Sequence, residues 1–137
     1  MDDCIFCKIA EKKIASKFIY EDKNTMAFLD INPGAPGHTL VIPKKHYDTI
    51  FDMPENESCG LFNTTTKVAK AINKIIGPDG INIFQNNKSA AGQLVNHVHF
   101  HIFPRFRGDG IDFKWRRVVL DSDDLDNIAR KIRVGMD

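Results

Sequence analysis

The chain carries almost no net charge: 19 basic residues are set against 18 acidic ones, a formal +1. That balance excludes a partner held by bulk electrostatics, so neither nucleic acid nor an anionic membrane is expected to bind the surface as a whole. No apolar run is long enough to span a bilayer, and the opening Met1-Asp2-Asp3 is acidic where a secretory leader is basic. The expectation is a cytoplasmic protein. Only three cysteines occur, an odd number that argues against a disulfide framework. There is no internal repeat and no low-complexity or linker-like stretch. With 42% hydrophobic residues, one domain spanning residues 1–137 can bury a core without covalent staples.

What is present reads as an α+β unit. A short helical turn is expected over 6–12, with strands over 17–21, 25–30 and 38–43. Asn32-Pro33-Gly34-Ala35-Pro36-Gly37 between them is turn chemistry. A long helix should start near Asp52-Met53-Pro54-Glu55, with Asp52 as cap, and end at Gly77-Pro78. Its apolar stripe is Leu61, Val68, Ile72 and Ile75, while Gly60 and three threonines at 64–66 oppose it. Cys59 falls in this helix and is expected in or near the core. A strand follows over 80–85, then a polar loop over 86–92 and a strand over 94–104. A helix over 122–134 is apolar on one face through Leu125, Ile128, Ala129 and Ile132.

The most informative segment is His97-Val98-His99-Phe100-His101-Ile102-Phe103. Its strict period of two puts three of the five histidines on one face of a strand, with Val98, Phe100 and Ile102 facing the core. At roughly 3.4 Å per residue, the outer two histidines are ~13–14 Å apart along the backbone, too far to share one ion. They must hold different jobs. Cys4-Ile5-Phe6-Cys7 is a C-x-x-C pair that can bite one metal ion, and two histidines would complete a tetrahedral structural zinc site. His46 and His97 are the candidates. A thioredoxin-like redox role would need a βαβ context that residues 1–12 lack, and two packed thiols are the bland alternative.

The loop Gln85-Asn86-Asn87-Lys88-Ser89-Ala90-Ala91-Gly92-Gln93 is small and polar, able to turn backbone N–H groups toward an anion, but it lacks the Gly-Lys pair of a Walker A loop. Arg105, Arg107, Lys114, Arg116 and Arg117 around Phe106 and Trp115 allow a nucleic-acid surface on paper; such runs are ordinarily solvated faces.

Gly92 to Arg105 resembles the signature of the histidine triad (HIT) family of nucleotide hydrolases and transferases. The resemblance extends to Cys4–Cys7, to Ala27-Phe28-Leu29-Asp30-Ile31-Asn32-Pro33 and to Gly37–His46. It implies a HIT-like fold, with an antiparallel sheet of about five strands packed by the long helix and the C-terminal helix, and a homodimer. It also implies cleavage of nucleoside 5'-monophosphate conjugates at the α-phosphate.

By the same resemblance His99 is the nucleophile that forms a nucleotidyl-histidine, its other ring nitrogen held by a main-chain carbonyl, here that of His97. His101, His38 and loop N–H groups meet the phosphate charge, and Asn86 and Gln93 orient the phosphate and the leaving group. A purine base is expected among Phe6, Phe28, Ile31 and Leu40, with Asp30 on the ribose hydroxyls and Gly92 and Leu94 also among the nucleotide-binding residues. Leu94 stands where the phosphoramidase branch carries a serine. Pro104-Arg105-Phe106-Arg107-Gly108-Asp109 is closer to the dinucleoside polyphosphate hydrolases, and His101 argues against the hexose-phosphate transferase branch. Arg105 and Arg107 lie where a polyphosphate leaving group would pass, unless Arg105 pairs with an acid and serves the fold. Dinucleoside polyphosphates such as diadenosine tetraphosphate are therefore the expected substrates. Purine nucleoside phosphoramidates, or nucleotide sensing without turnover, are the alternatives.

Overall fold

The computed structural model describes residues 3–136; Met1 and Asp2, which entered the leader argument, lie outside the described residues. Its elements are α1 (Ile5–Ala10), β1 (Phe18–Glu21), β2 (Thr25–Leu29), β3 (Thr39–Pro43), α2 (Glu55–Ile76), β4 (Gly80–Gln85), β5 (Phe100–Arg105) and α3 (Ser122–Gly135). The five strands form one antiparallel sheet in the order β1-β2-β3-β5-β4.

Alternation along β2 and β3 divides the apolar residues between the two faces. Ala27 and Val41 join Leu61, Val68, Ile72, Val98 and Ile102 beneath α2. Met26, Phe28, Leu40 and Ile42 join Phe6 and Ile9 of α1 on the opposite face. The α1 face carries the site.

Helix α2 tolerates its threonines because each hydroxyl has a partner. Thr65 and Thr66 donate back to Leu61 O and Phe62 O at 2.8 and 3.0 Å, and buried Thr64 meets Thr25 Oγ1 of β2 at 2.8 Å. Gly77 ends the helix in the left-handed region at φ +66°, where a Cβ would be strained.

Several expectations need correction. Asp52 does not cap α2: it lies in a 3₁₀ turn and accepts from Thr49, and Pro54 takes the cap position. Ile75 and Cys59 are exposed, since the buried stripe of α2 runs through Leu61, Thr64, Thr65, Val68 and Ile72 instead. The last strand begins at Phe100 rather than near residue 94, because the chain before it runs outside the β3–β5 and β4–β5 ladders, with His97 beside Cys4 at the start of α1. Helix α3 has a complete capping box at Asp121 and Asp124, yet each of its described residues is exposed. Among the described residues no helix is long and apolar enough to cross a membrane.

Candidate functional site

Val98 and Ile102 are wholly buried under α2, and this throws His97, His99 and His101 to the α1 face. The period-two reading of that face holds even though only His101 is inside β5. In the sheet register His101 lies between Leu40 of β3 and Phe84 of β4. Phe84 stacks on its imidazole with centroids 4.4 Å apart and planes 13° apart.

Hydrogen-bond partners determine the tautomer of each ring, because a carbonyl only accepts and a backbone N–H only donates. His99 Nδ1–H donates to His97 O at 2.7 Å, which leaves a lone pair on Nε2. Burial lowers the His99 pKa, with the same hydrogen bond opposing, so the ring stays neutral and nucleophilic near pH 7. Gly34 N–H donates to His38 Nδ1 at 3.1 Å, so the His38 proton sits on Nε2 and is given to His101 Nδ1 at 2.9 Å. His101 in turn carries its hydrogen on Nε2. Burial, then the neighbouring His99 and His38, push the His101 pKa down to about 4.

Gly34 is favoured here for a steric reason. A Cβ on it would lie 2.5 Å from Phe103 Cζ, and Phe103 also packs against His38 at 4.7 Å between centroids. The turn that looks generic in sequence therefore sets the proton pattern of two site histidines.

The same reasoning applied to the cysteines gives a different outcome. His97 Nε2–H donates to Pro43 O at 2.8 Å and His46 Nε2–H to Asp48 Oδ1 at 2.7 Å. Both rings therefore aim Nδ1 lone pairs at one point, 3.2 Å apart. Cys4 Sγ lies 3.4 Å from His97 Nδ1, and Cys7 Sγ lies 3.3 Å from His46 Nδ1 and 3.6 Å from His97 Nδ1. A cation between the four donors would satisfy both lone pairs at once. A tetrahedral zinc with its usual bond lengths spaces N and S ligands about 3.3–3.8 Å apart, so the four donors fit that ion. Burial, then the neighbouring Cys4, push the Cys7 thiol up to about 11 in the absence of a cation. Asp30, His38 and His101 also bring donor atoms within 4.8 Å of one another. The lone pairs of the two histidines are already engaged: His38 Nδ1 accepts from Gly34 and His101 Nδ1 accepts from His38.

A cavity of about 410 Å³ opens on the α1 face, and it gathers most of the residues expected there. Phe6, Phe28, Ile31 and Leu40 line it with Asp30, and Asn86, Gly92 and Leu94 form its rim beside His99 and His101. Asp30 Oδ2 lies 3.7 Å from His38 Nε2, while Oδ1 accepts from Asn32 N at 2.9 Å. Gln93 is placed differently. Its amide donates to Asp48 O and Val95 O and accepts from Lys88 N, so this buried side chain braces the loop instead of facing the cavity.

Arg105 is also consumed by the fold. It makes a bidentate pair with Asp109 at 2.8 and 3.0 Å and donates further to Asn82 Oδ1 and Ile111 O. The pairing alternative of the sequence reading is the one observed. Phe84 escaped notice because nothing local marks it; only its register opposite His101 brings it to the site.

Comparison with known proteins decides the family. Residues 11–108, most of the chain, match the HIT domain. The chain belongs to the histidine triad family. A HIT family protein of Bacillus subtilis shares the fold at a TM-score of 0.90 and 40% identity, over 96% of this chain and 95% of its own. A zinc-bound histidine triad protein from Mycobacterium smegmatis superimposes at 0.77 with 34% identity, over 98% of both chains. An adenosine 5'-monophosphoramidase of Saccharomyces cerevisiae is 38% identical over 130 residues, covering 94% of this chain and 80% of that enzyme. The five-stranded α+β architecture of this HIT protein is thus that of the family.

Proposed function

We propose that this HIT protein hydrolyses purine nucleoside 5'-monophosphate conjugates at the α-phosphate, through a nucleotidyl intermediate on His99. The observation that carries the reading is the tautomer pattern: a lone pair on His99 Nε2 and an N–H on His101 Nε2, side by side with ring centroids 5.0 Å apart in one cavity. His99 Nε2 bonds to phosphorus as the bond from phosphorus to the leaving group breaks. The imidazolium so formed is stabilised through its Nδ1–H on the His97 carbonyl. A leaving amine takes up one proton from solvent by way of the His101 Nε2–H, and Asn86 meets charge on the phosphate oxygens. Water then attacks phosphorus, the P–N bond breaks, the proton of water returns to solvent, and the nucleoside monophosphate departs. Asp30 holds the ribose, and Phe6, Phe28 and Leu40 hold the base.

Among conjugates, phosphoramidates are favoured over dinucleoside polyphosphates. Arg105, on which the polyphosphate preference rested, has its donors engaged by Asp109, Asn82 and Ile111, and the yeast relative is named a phosphoramidase. A nucleotide sensor without turnover would have no use for a deprotonated His99 Nε2. Mixing the protein with adenosine 5'-phosphoramidate and diadenosine tetraphosphate and measuring AMP tests this. AMP from neither conjugate refutes it.

Zinc held by Cys4, Cys7, His46 and His97 would play a structural role, since four protein ligands leave no position for water. It would tie α1 to the segment whose His97 carbonyl orients His99. The reading also includes a homodimer. Leu125, Ile128 and Ile132 leave the apolar face of α3 open to solvent, and Phe62 and Ile75 of α2 are likewise exposed. A second copy of the chain is the natural cover, and a monomeric mass in light scattering would remove that element.

A further inference from the structure

The sheet register lays out a line across the α1 face. His101 of β5 stands opposite Leu40 of β3, Leu40 opposite Phe28 of β2, and Phe28 opposite Phe18 of β1. Residues directly opposite one another in an antiparallel pair share a face, and at about 4.8 Å per strand Phe18 lies roughly 14 Å from His101. Along α1 the order is the same: Phe6 meets His99 at 5.2 Å between ring centroids, and Ile9, one turn on, borders the space over Phe18. The base end of the main cavity is Leu40, Phe28 and Phe6, and Phe18 stands one strand beyond it.

A second cavity of about 320 Å³ lies at that end, over Phe18 and Met26. It shares Ile9, Ile14, Ala15 and Ser16 with the main cavity, so the two adjoin. Its two charged residues answer each other: Lys12 Nζ lies 2.7 Å from Glu21 Oε1, and the other Glu21 oxygen is held by Lys44 at 2.8 Å. What is left open is apolar, since Phe18 is 56% exposed and Ile14 38%.

We propose that this second cavity takes an uncharged apolar substituent on the six-membered ring of the purine, so that N6-alkylated and N6-arylated adenylates fit the site. The proposal rests on the α-phosphate hydrolase reading above and adds the class of base. A purine joins its ribose through the five-membered ring. With Asp30 on the ribose and His99 on the phosphate, the six-membered ring therefore points away from the triad, toward Phe18. A charged substituent finds Lys12 and Glu21 already paired, whereas an apolar one covers Phe18 and Ile14.

The test compares kcat/KM for adenosine 5'-phosphoramidate, for its N6-benzyl derivative, and for the isomer carrying benzyl at C8 of the five-membered ring. Half-covering a phenyl ring is worth about 4- to 13-fold in affinity. The N6-benzyl substrate should exceed the parent by at least about fourfold, with the gain in KM and not in kcat, because the substituent lies far from the reacting bond. Phe18→Ala should bring the ratio of N6-benzyl to parent below about twofold, and Phe18→Tyr should keep it. Both variants leave the core intact, since Phe18 is exposed. Equal or lower kcat/KM for the N6-benzyl substrate, an equal gain for the C8 isomer, or a gain unchanged in Phe18→Ala overturns the subsite and leaves the hydrolase reading standing. Hydrolysis of none of the three overturns both.

Discussion

Replacing Gly34 with alanine separates a chemical role of the turn from a merely structural one. The new Cβ would sit 2.5 Å from Phe103 Cζ, against the ~3.5–4.0 Å of ordinary carbon contact, so the turn or the buried ring must yield by about 1 Å. The 3.1 Å bond from Gly34 N–H to His38 Nδ1 does not survive such a shift. Its loss frees His38 to carry the proton on either nitrogen, and the Nε2–H that holds His101 in its donor tautomer is then present only part of the time. One neutral hydrogen bond is worth about 0.5–1.5 kcal/mol net, which converts to a fall in kcat of about 2- to 12-fold. Overpacking adds a stability cost of about 1–3 kcal/mol, a drop of several degrees in Tm. Steady-state release of AMP from adenosine 5'-phosphoramidate and a thermal melt measure the two effects separately. Phe103→Leu removes the ring atoms in the way, so Gly34→Ala/Phe103→Leu should recover activity relative to Gly34→Ala alone, with a coupling of about 1 kcal/mol or more in the double-mutant cycle. A Gly34→Ala protein with lowered Tm and wild-type kcat refutes the reasoning, as does a cycle with no coupling.

His99→Ala should lower kcat by several orders of magnitude while nucleotide affinity changes little, because other side chains build the cavity; retention of a tenth of wild-type kcat would exclude covalent catalysis through this residue. Protein purified without chelator should contain one zinc per chain, and Cys4→Ser should lose it together with Tm and kcat, since the His97 carbonyl orients His99; unchanged melting after metal removal counts against the site. The pKa values of His38, His99 and His101 all lie below the ordinary 6.5 in the folded state, so the unfolded chain binds more protons between pH 6.5 and about 4. Their contribution to stability is complete above pH 6.5 and is lost as the pH falls toward 4. The urea midpoint should therefore be lower at pH 5 than at pH 7.5, and an equal or higher midpoint at pH 5 contradicts their burial as neutral rings.

How much was legible in the residues depended on whether their meaning was local. The alternation from His97 to Phe103 is a property of an extended backbone, so it marked the histidine face and the buried Val98 and Ile102 before any tertiary contact was known. The C-x-x-C spacing likewise marked two of the four donors that the fold brings together, and the termini of α2 followed from Pro54 and Gly77 to within a few residues. Other properties are set across the sheet, where sequence separation carries no information. Phe84 reaches His101 only through the register of β4 on β5. Gln93 turns inward because the carbonyls of Asp48 and Val95 converge on its amide, and Arg105 pairs with Asp109 and Asn82, contacts that no local pattern announces. The proton on each imidazole was decided last and farthest from the sequence pattern. A histidine is written the same way in either tautomer, and only the donor or acceptor that folding places beside it, Gly34 N–H for His38 and the His97 carbonyl for His99, determines which nitrogen is free to react.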